Sequence, residues 1–454
     1  MEIIVNQAKL ITWVVGEQII EHNKEYRLLH YCLLHDKTKD RFIYNILTKE
    51  LIKLEEEEYK IIKNNHFDFR EELIIYLIKH WFIVPIEHDD MILCDQLRKT
   101  SKMFSDNLHE NFDMYNIFTT TACNARCFYC FESKNIKKTM SLDTAKEVAN
   151  FIEKNSKNID GKIKIQWFGG EPLCNIQAIN TICSSLAEKK IKYASQMISN
   201  GYLFDDKIIS IAKSNWNLEN IQITLDGLEH TYNRVKNYIK AVNNPFERVI
   251  TNIENLLLKN IFVIVRLNMD EYNYKELYDL VDFLHKKFSR YNNFAIYAKL
   301  IYENVGFNAI VHTPQEREKL YSQYLDLCNY IIDCDLYVRS VLKNKIRFTQ
   351  CMADNMKTLM ILPDGKLGRC EHHLDDDFYG TIFTNENKIP WSQYYDVLSS
   401  CKTCNVYPEC FRLKGCDSID ETCSDYMKYE ILSRIENSIP HTYKNYLIQN
   451  RVIT

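Results

Sequence analysis

Between Tyr115 and Leu300 the chain alternates short β-forming runs with longer helical ones, and that alternation limits the folds open to it. The β runs begin at Asn116 (NIFTTTA), Lys162 (KIKIQWF), Ser195 (SQMIS), Asn220 (NIQITL), Phe262 (FVIVRLN) and Asn293 (NFAIYAKL). Helical stretches lie between them, for example Leu142 to Asn155 behind an N-cap candidate at Ser141. Six β/α units predict an α/β fold built on a parallel barrel that is not fully closed. In parallel β/α folds the functional residues sit at the C-terminal ends of the strands.

The motifs fall at those ends. Cys123, Cys127 and Cys130 follow the first run in the order C-x3-C-x2-C. Three thiolates on one short loop can grip three corners of a cubane iron–sulfur cluster, which normally takes four. The remaining iron is then open to a chelating small molecule. A zinc knuckle completed by a distant residue is the other reading. Gly169, Gly170, Glu171 and Pro172 follow the second run. Glycines at a strand end let backbone approach a ligand closely, and the glutamate can accept hydrogen bonds from an ammonium group; a plain turn would look the same. Ser199-Asn200-Gly201 ends the third run and Leu225-Asp226-Gly227 the fourth. Arg266 and Asn268 lie on the fifth, where they could face a pocket or where the arginine could pair with a core carboxylate.

With 454 residues, 46% of them hydrophobic and 26% charged, the chain has room for two or three domains around a sizeable core. A net charge of −4 asks for neither nucleic acid nor anionic membrane. There are 16 cysteines, no secretory signal and no apolar stretch long enough for a membrane span. Clustered cysteines in a cytoplasmic chain point to metal rather than disulfides. Cys32, Cys94, Cys174, Cys183, Cys328 and Cys334 lie outside the motifs and read as small apolar residues.

A second cysteine group lies in the C-terminal third. Cys351 and Cys370 frame Gly365, and Cys401-x2-Cys404-x5-Cys410-x5-Cys416 is followed by Cys423. Two-residue spacing suits ligands on a tight turn, for iron or zinc alike. Upstream, residues 26–54 carry β-like runs at Leu28–Leu34, Arg41–Leu47 and Leu51–Leu54. Helices over Glu55–Asn64 and Glu71–His80 and a strand over Trp81–Ile86 follow. Strands, two helices and a closing strand suggest a small winged-helix-like domain, or a helical cap on the barrel. Residues 91–114 read as a linker helix.

The cysteine loop, with Tyr129 just before its last cysteine, resembles the cluster loop of the radical S-adenosylmethionine (SAM) superfamily. The resemblance implies a 4Fe-4S cluster whose open iron is chelated by SAM; reductive cleavage of SAM would yield a 5′-deoxyadenosyl radical that removes a hydrogen atom from carbon. It also implies SAM-binding roles for Tyr129, for Gly169, Gly170, Glu171 and Pro172, for Ser199 and Asn200, and for Asp226 and Arg266. In sulfatase-maturing relatives Pro, a His-Asp pair and Arg follow the Asp-Gly pair; here Leu228, Tyr232, Asn233 and Lys236 stand there. The second cysteine group resembles the SPASM domain, which holds two auxiliary iron–sulfur clusters. Cys401, Cys404, Cys410 and Cys423 would enclose one, and Cys351, Cys370 and Cys416 the other. Glu371 stands where such relatives place a catalytic base, although it could equally belong to an acidic surface turn.

The N-terminal part resembles the PqqD-like domain that binds the leader of a precursor peptide by strand addition. The resulting expectation has four parts: residues 1–100 for peptide recognition, 115–310 for the radical SAM barrel, 345–430 for SPASM and 431–454 as a helical tail. It describes a cytoplasmic peptide maturase of an anaerobe, fed electrons by a flavodoxin or ferredoxin and free of nucleic-acid and membrane partners. An intrapeptide thioether is the expected product. The alternatives are a carbon–carbon crosslink, sulfatase-maturase-like chemistry, or an iron–sulfur electron carrier without catalysis.

Overall fold

The computed structural model describes residues 2–6, 8–106, 112–134, 136–156, 162–241, 244–301, 313–336, 357–368, 370–371, 374, 380–384, 401, 404–407 and 425–450. They fall into two compact units: Met1–Asn107 with Arg339–Cys351 and Gln393–Thr454, and Leu108–Val338 with Met352–Ser392.

The first unit opens with β1 (Glu2–Val5) and α1 (Ala8–Val15), then β2 (Tyr26–Leu28), β3 (Cys32–His35), β4 (Arg41–Asn45), β5 (Glu50–Leu54), α2 (Glu56–Lys63), α3 (Glu72–Lys79), β6 (Ile83–Pro85) and α4 (Asp90–Asp106). The sheet runs β1-β5-β4-β3, and β2 pairs with β6 in a separate ribbon. The run expected over Leu28–Leu34 is thus split between two sheets. Asp90 explains the break: its carboxylate accepts the His30 N–H at 2.7 Å and pairs with Arg27 at 2.9 Å. Alternate residues of β4 face opposite ways. Ile43 packs with Ile52, Tyr59, Leu73, Leu77 and Ile78 beneath α2 and α3. Phe42 and Tyr44 join a second core with Ile431, Ile435 and Ile439, spaced four apart on the C-terminal helix Asp425–Gln449. That helix, expected as a tail, is therefore part of the N-terminal core.

The second unit holds the barrel. Its strands are β7 (Met114–Thr120), β8 (Ile163–Gly169), β9 (Tyr193–Ser199), β10 (Leu218–Leu225), β11 (Phe262–Met269) and β12 (Phe294–Leu300), parallel and paired in sequence order. The helices between them are α5 (Leu142–Asn155), α6 (Ile176–Glu188), α7 (Asp206–Ser214), α8 (Glu229–Lys236), α9 (Pro245–Leu258) and α10 (Glu276–Phe288), and α11 (Pro314–Asp333) follows β12. Ser141 caps α5 as expected, accepting the Thr144 N–H at 3.0 Å. Along β9 the residues Tyr193, Ser195, Met197 and Ser199 are buried, while Ala194, Gln196 and Ile198 on the other face stay partly open. The β7 edge is extended by β13 (Thr358–Ile361), parallel to it, and then by β14 (Leu367–Gly368). Among the described residues no helix is long and apolar enough to cross a membrane.

Candidate active site

The C-terminal ends of five barrel strands converge on one set of side chains. The cysteine loop leaves β7 after Thr120 and is pinned at its base. The Thr121 hydroxyl donates to the Ile136 carbonyl at 2.7 Å and accepts the Lys138 N–H at 2.8 Å, and the Thr120 hydroxyl donates to the Lys138 carbonyl. Burial pushes the Cys123 thiol up to about 12 and raises Cys127 and Cys130 above the usual thiol range. The Ala125 N–H points at the Cys123 sulfur, 3.4 Å away.

Soft thiols, partly buried and facing a backbone donor, suit an iron–sulfur cluster. Among the described residues no three His, Cys, Asp or Glu side chains are close enough to hold one metal ion.

The glycine pair at the end of β8 lets two backbones approach each other closely. A Cβ on Gly169 would lie 2.3 Å from the Thr120 carbonyl oxygen, and one on Gly170 would lie 2.3 Å from that of Ala122. The close approach is to the root of the cysteine loop, where the Glu171 N–H bonds the Ala122 carbonyl at 2.9 Å. Pro172 then starts a short helical turn. Glu171 itself is fully buried. One oxygen accepts the Ser199 hydroxyl at 2.9 Å and the Leu173 N–H; the other accepts the Asn200 N–H at 2.8 Å. Burial raises its carboxyl to about 7, against the pull of these donors. A carboxylate has about four acceptor positions, and three of them are filled here. The Asn200 side chain reaches the loop, donating to Asn124 at 2.7 Å and lying 3.9 Å from the Cys123 sulfur.

Tyr129, Asp226 and Arg266 come together with Asn268, named beside Arg266 as able to face a pocket, and with Lys236, which lies outside the expected set. The Tyr129 hydroxyl donates to Asp226 at 2.7 Å, and the Asn268 amide donates to both. Lys236 on α8 forms an ion pair with Asp226 at 2.9 Å, and both are about 1% exposed. Burial alone would lower the Lys236 ammonium, yet Asp226, then Tyr129, hold it well above the usual lysine range. The Arg266 Nε donates to Asn268 at 2.8 Å, so its partner is an amide rather than a core carboxylate. The signal for Lys236 was a charge on an apolar helical stripe, since it follows the buried Tyr232 by four residues.

Glu371 is partly buried beside Glu132, a carboxylate from the far end of the cysteine loop. Burial and, less strongly, the charge of Glu371 push Glu132 up to about 7. Cys370 belongs to the barrel unit, whereas Cys401 and Cys404 belong to the other, where Cys404 is buried among apolar residues. Cys351, Cys410, Cys416 and Cys423 lie outside the described residues. Of the cysteines expected to be apolar fillers, Cys94, Cys183 and Cys328 are buried, but Cys174 is exposed.

Residues 117–284 match the family model described as the Radical SAM superfamily. A GTP 3′,8-cyclase of Clostridium perfringens is 27% identical over 187 residues, covering 40% of this chain and 54% of that protein. The radical SAM cyclopropyl synthase TigE of Paramaledivibacter caminithermalis is 25% identical over 295 residues, covering 61% of this chain and 57% of that protein. The chain spans 37–59% of the length of the curated relatives it matches. Among solved structures, native anSMEcpe with bound AdoMet superposes with a TM-score of 0.55 at 15% identity, covering 73% of this chain and 99% of that one. At that identity the likeness establishes the fold.

Proposed function

With residues 117–284 forming a radical SAM domain, we propose that the chain modifies a ribosomally made precursor peptide and joins a cysteine sulfur to a carbon of that peptide as a thioether. The observation that carries the enzyme class is the convergence of the three-cysteine loop with Glu171, Asn200 and Arg266 at one end of a parallel barrel. Cys123, Cys127 and Cys130 would hold a 4Fe-4S cluster, which with SAM on its open iron supplies a carbon radical able to take a hydrogen atom.

Around that group the chain's residues bind and orient. The open acceptor position of Glu171 receives the ammonium of SAM. Ser199 and the Asn200 N–H hold the carboxylate in place for it. The terminal nitrogens of Arg266 suit a carboxylate. Glu371 would accept the proton that leaves the peptide. The seven C-terminal cysteines would hold two auxiliary clusters that take the leftover electron. The peptide reading draws on the first unit, where β3 is an edge strand of its sheet among the described residues, the position at which a leader strand would add. It also draws on anSMEcpe, a protein of like fold that is solved with the Cp18Cys peptide. A carbon–carbon bond is the second reading, favoured by the likeness to the cyclopropyl synthase TigE.

The test is anaerobic incubation of reconstituted protein with SAM, reduced flavodoxin and any short cysteine-containing peptide found encoded by a neighbouring reading frame. A thioether removes two hydrogens from the peptide and leaves its thiol unreactive to iodoacetamide. A carbon–carbon bond removes two hydrogens and leaves the thiol reactive. No 5′-deoxyadenosine at all would refute catalysis and leave an electron carrier.

A further inference from the structure

Lys236 has no role in the reading above, although few charges in the barrel are as deeply enclosed. Its ammonium forms an ion pair with Asp226 at 2.9 Å and donates to the Tyr129 hydroxyl at 2.9 Å and the Thr224 hydroxyl at 2.7 Å. One Asp226 oxygen accepts from Tyr129 and Asn268, and the other lies beside the Lys236 ammonium as an ion pair. Both groups therefore act on Tyr129. That residue stands between Cys127 and Cys130, and its hydroxyl donates to Asp226 while accepting from Lys236 and Asn268.

The backbone around Lys236 grips the same loop. Its carbonyl accepts the Arg126 N–H at 2.9 Å, and the Ile239 N–H donates to the Asn124 carbonyl at 2.8 Å. Between them Asn237, left-handed at φ 44°, ends α8 and turns the chain so that both bonds reach the loop. Asparagine tolerates that conformation better than most residues. Residues 124–129 are thus held by backbone bonds at one end and by a buried network of Tyr129, Asp226, Asn268 and Lys236 at the other. A buried ion pair adds little net stability, so the contribution of this one lies in geometry.

We propose that Lys236 is the positioning residue of the cysteine loop: with Asp226 it fixes Tyr129, and through Tyr129 it sets the loop in its cluster-receiving shape. This rests on reading Cys123, Cys127 and Cys130 as cluster ligands. Tyr129→Phe tests it most cleanly, because the ring and the ion pair remain. Tyr193→Phe is the control: its hydroxyl meets the Asn215 carbonyl, outside the loop network. In the metal-free protein, amide exchange of residues 124–130 should speed up by at least about tenfold in Tyr129→Phe, the scale of a single lost bond to a charged group, since the hydroxyl makes three bonds. In the reconstituted protein, chelator-driven loss of iron should rise by a similar factor. Neither rate should move in Tyr193→Phe. Lys236→Met should act in the same direction; if it does not fold, Tyr129→Phe decides alone. Wild-type exchange and wild-type iron retention in Tyr129→Phe overturn the proposal. So does faster exchange without faster iron loss, which would confine the network to the fold. Wild-type protein that takes up no iron instead overturns the cluster reading, and the positioning role falls with it.

Discussion

Gly170→Ala should damage the site by steric contact alone. Gly170 does not sit in the left-handed region, so backbone strain does not enter. The added Cβ would lie 2.3 Å from the Ala122 oxygen, 2.6 Å from its carbonyl carbon and 2.7 Å from the Thr121 oxygen. All three are backbone atoms, so no side-chain rotation relieves the contact. Ordinary van der Waals distance begins at 3.4 Å, and one strand must move by about 1 Å to restore it, an overpacking that costs on the order of 3 kcal/mol. Alanine restricts the unfolded chain more than glycine does, which returns at most about 1 kcal/mol. The remaining 2 kcal/mol or so corresponds to a fall of about 4–8 °C in the melting temperature of a domain this size. Cys123 follows Ala122 directly, so the displaced segment carries the first thiol, and a shift of about 1 Å is enough to lower turnover roughly a hundredfold. Anaerobic melting of the metal-free protein measures the first effect, and 5′-deoxyadenosine formation per bound iron the second. A variant that melts within about 2 °C of wild type and turns over normally would refute the steric account.

Other outcomes follow from the same geometry. Replacing Cys123, Cys127 and Cys130 together by alanine should abolish 5′-deoxyadenosine formation while iron held by the C-terminal cysteines stays; unchanged iron and unchanged nucleoside would refute the assignment. Glu171 should make the metal-free fold lose stability as pH rises. Its carboxyl titrates at 4.5 when unfolded and about 7 when folded, so the unfolded state holds fewer protons between those values. The contribution is fully present below 4.5 and falls by about 3 kcal/mol by the time pH has passed 7. Glu132 titrates over the same window, so the check is the difference between wild type and Glu171→Gln in denaturant melts, which should shrink to nothing at low pH. In the first unit, Leu77→Ala removes a fully buried side chain from the core beneath α2 and α3 and should cost about 2–5 kcal/mol. A shift in its denaturant midpoint worth less than about 1 kcal/mol would show that this core is not packed as described.

The barrel was legible because its signals are local. Each run from Asn116 to Asn293 carries its own β-branched and aromatic residues, and β7 to β12 lie where those runs place them. The same holds for α2 and α3, whose ends differ from expectation by one residue. What the sequence hid depends on distant partners. The split of Leu28–Leu34 needs Asp90, and the role of Gly170 needs Ala122. Lys236 becomes intelligible only once Tyr129, 107 residues earlier, is beside it. β1, α1 and the pairing of β13 with β7 had no counterpart in the expected pattern, because short strands take their identity from the sheet they join.

The partnership of β13 with β7 also dictates an order of assembly. Met114 pairs with Thr358 and Ile117 with Ile361, contacts spanning just over half the chain. During synthesis, β7 leaves the ribosome early and cannot complete its ladder until the residues near 360 have followed it. A long-range pairing of this kind forms late. A chain halted before Thr358 would present β7 as a bare edge, ready to pair with a neighbouring molecule. Iron delivery is therefore best timed after translation ends, and nascent fragments of this protein should aggregate through the strand from which its metal-binding loop springs.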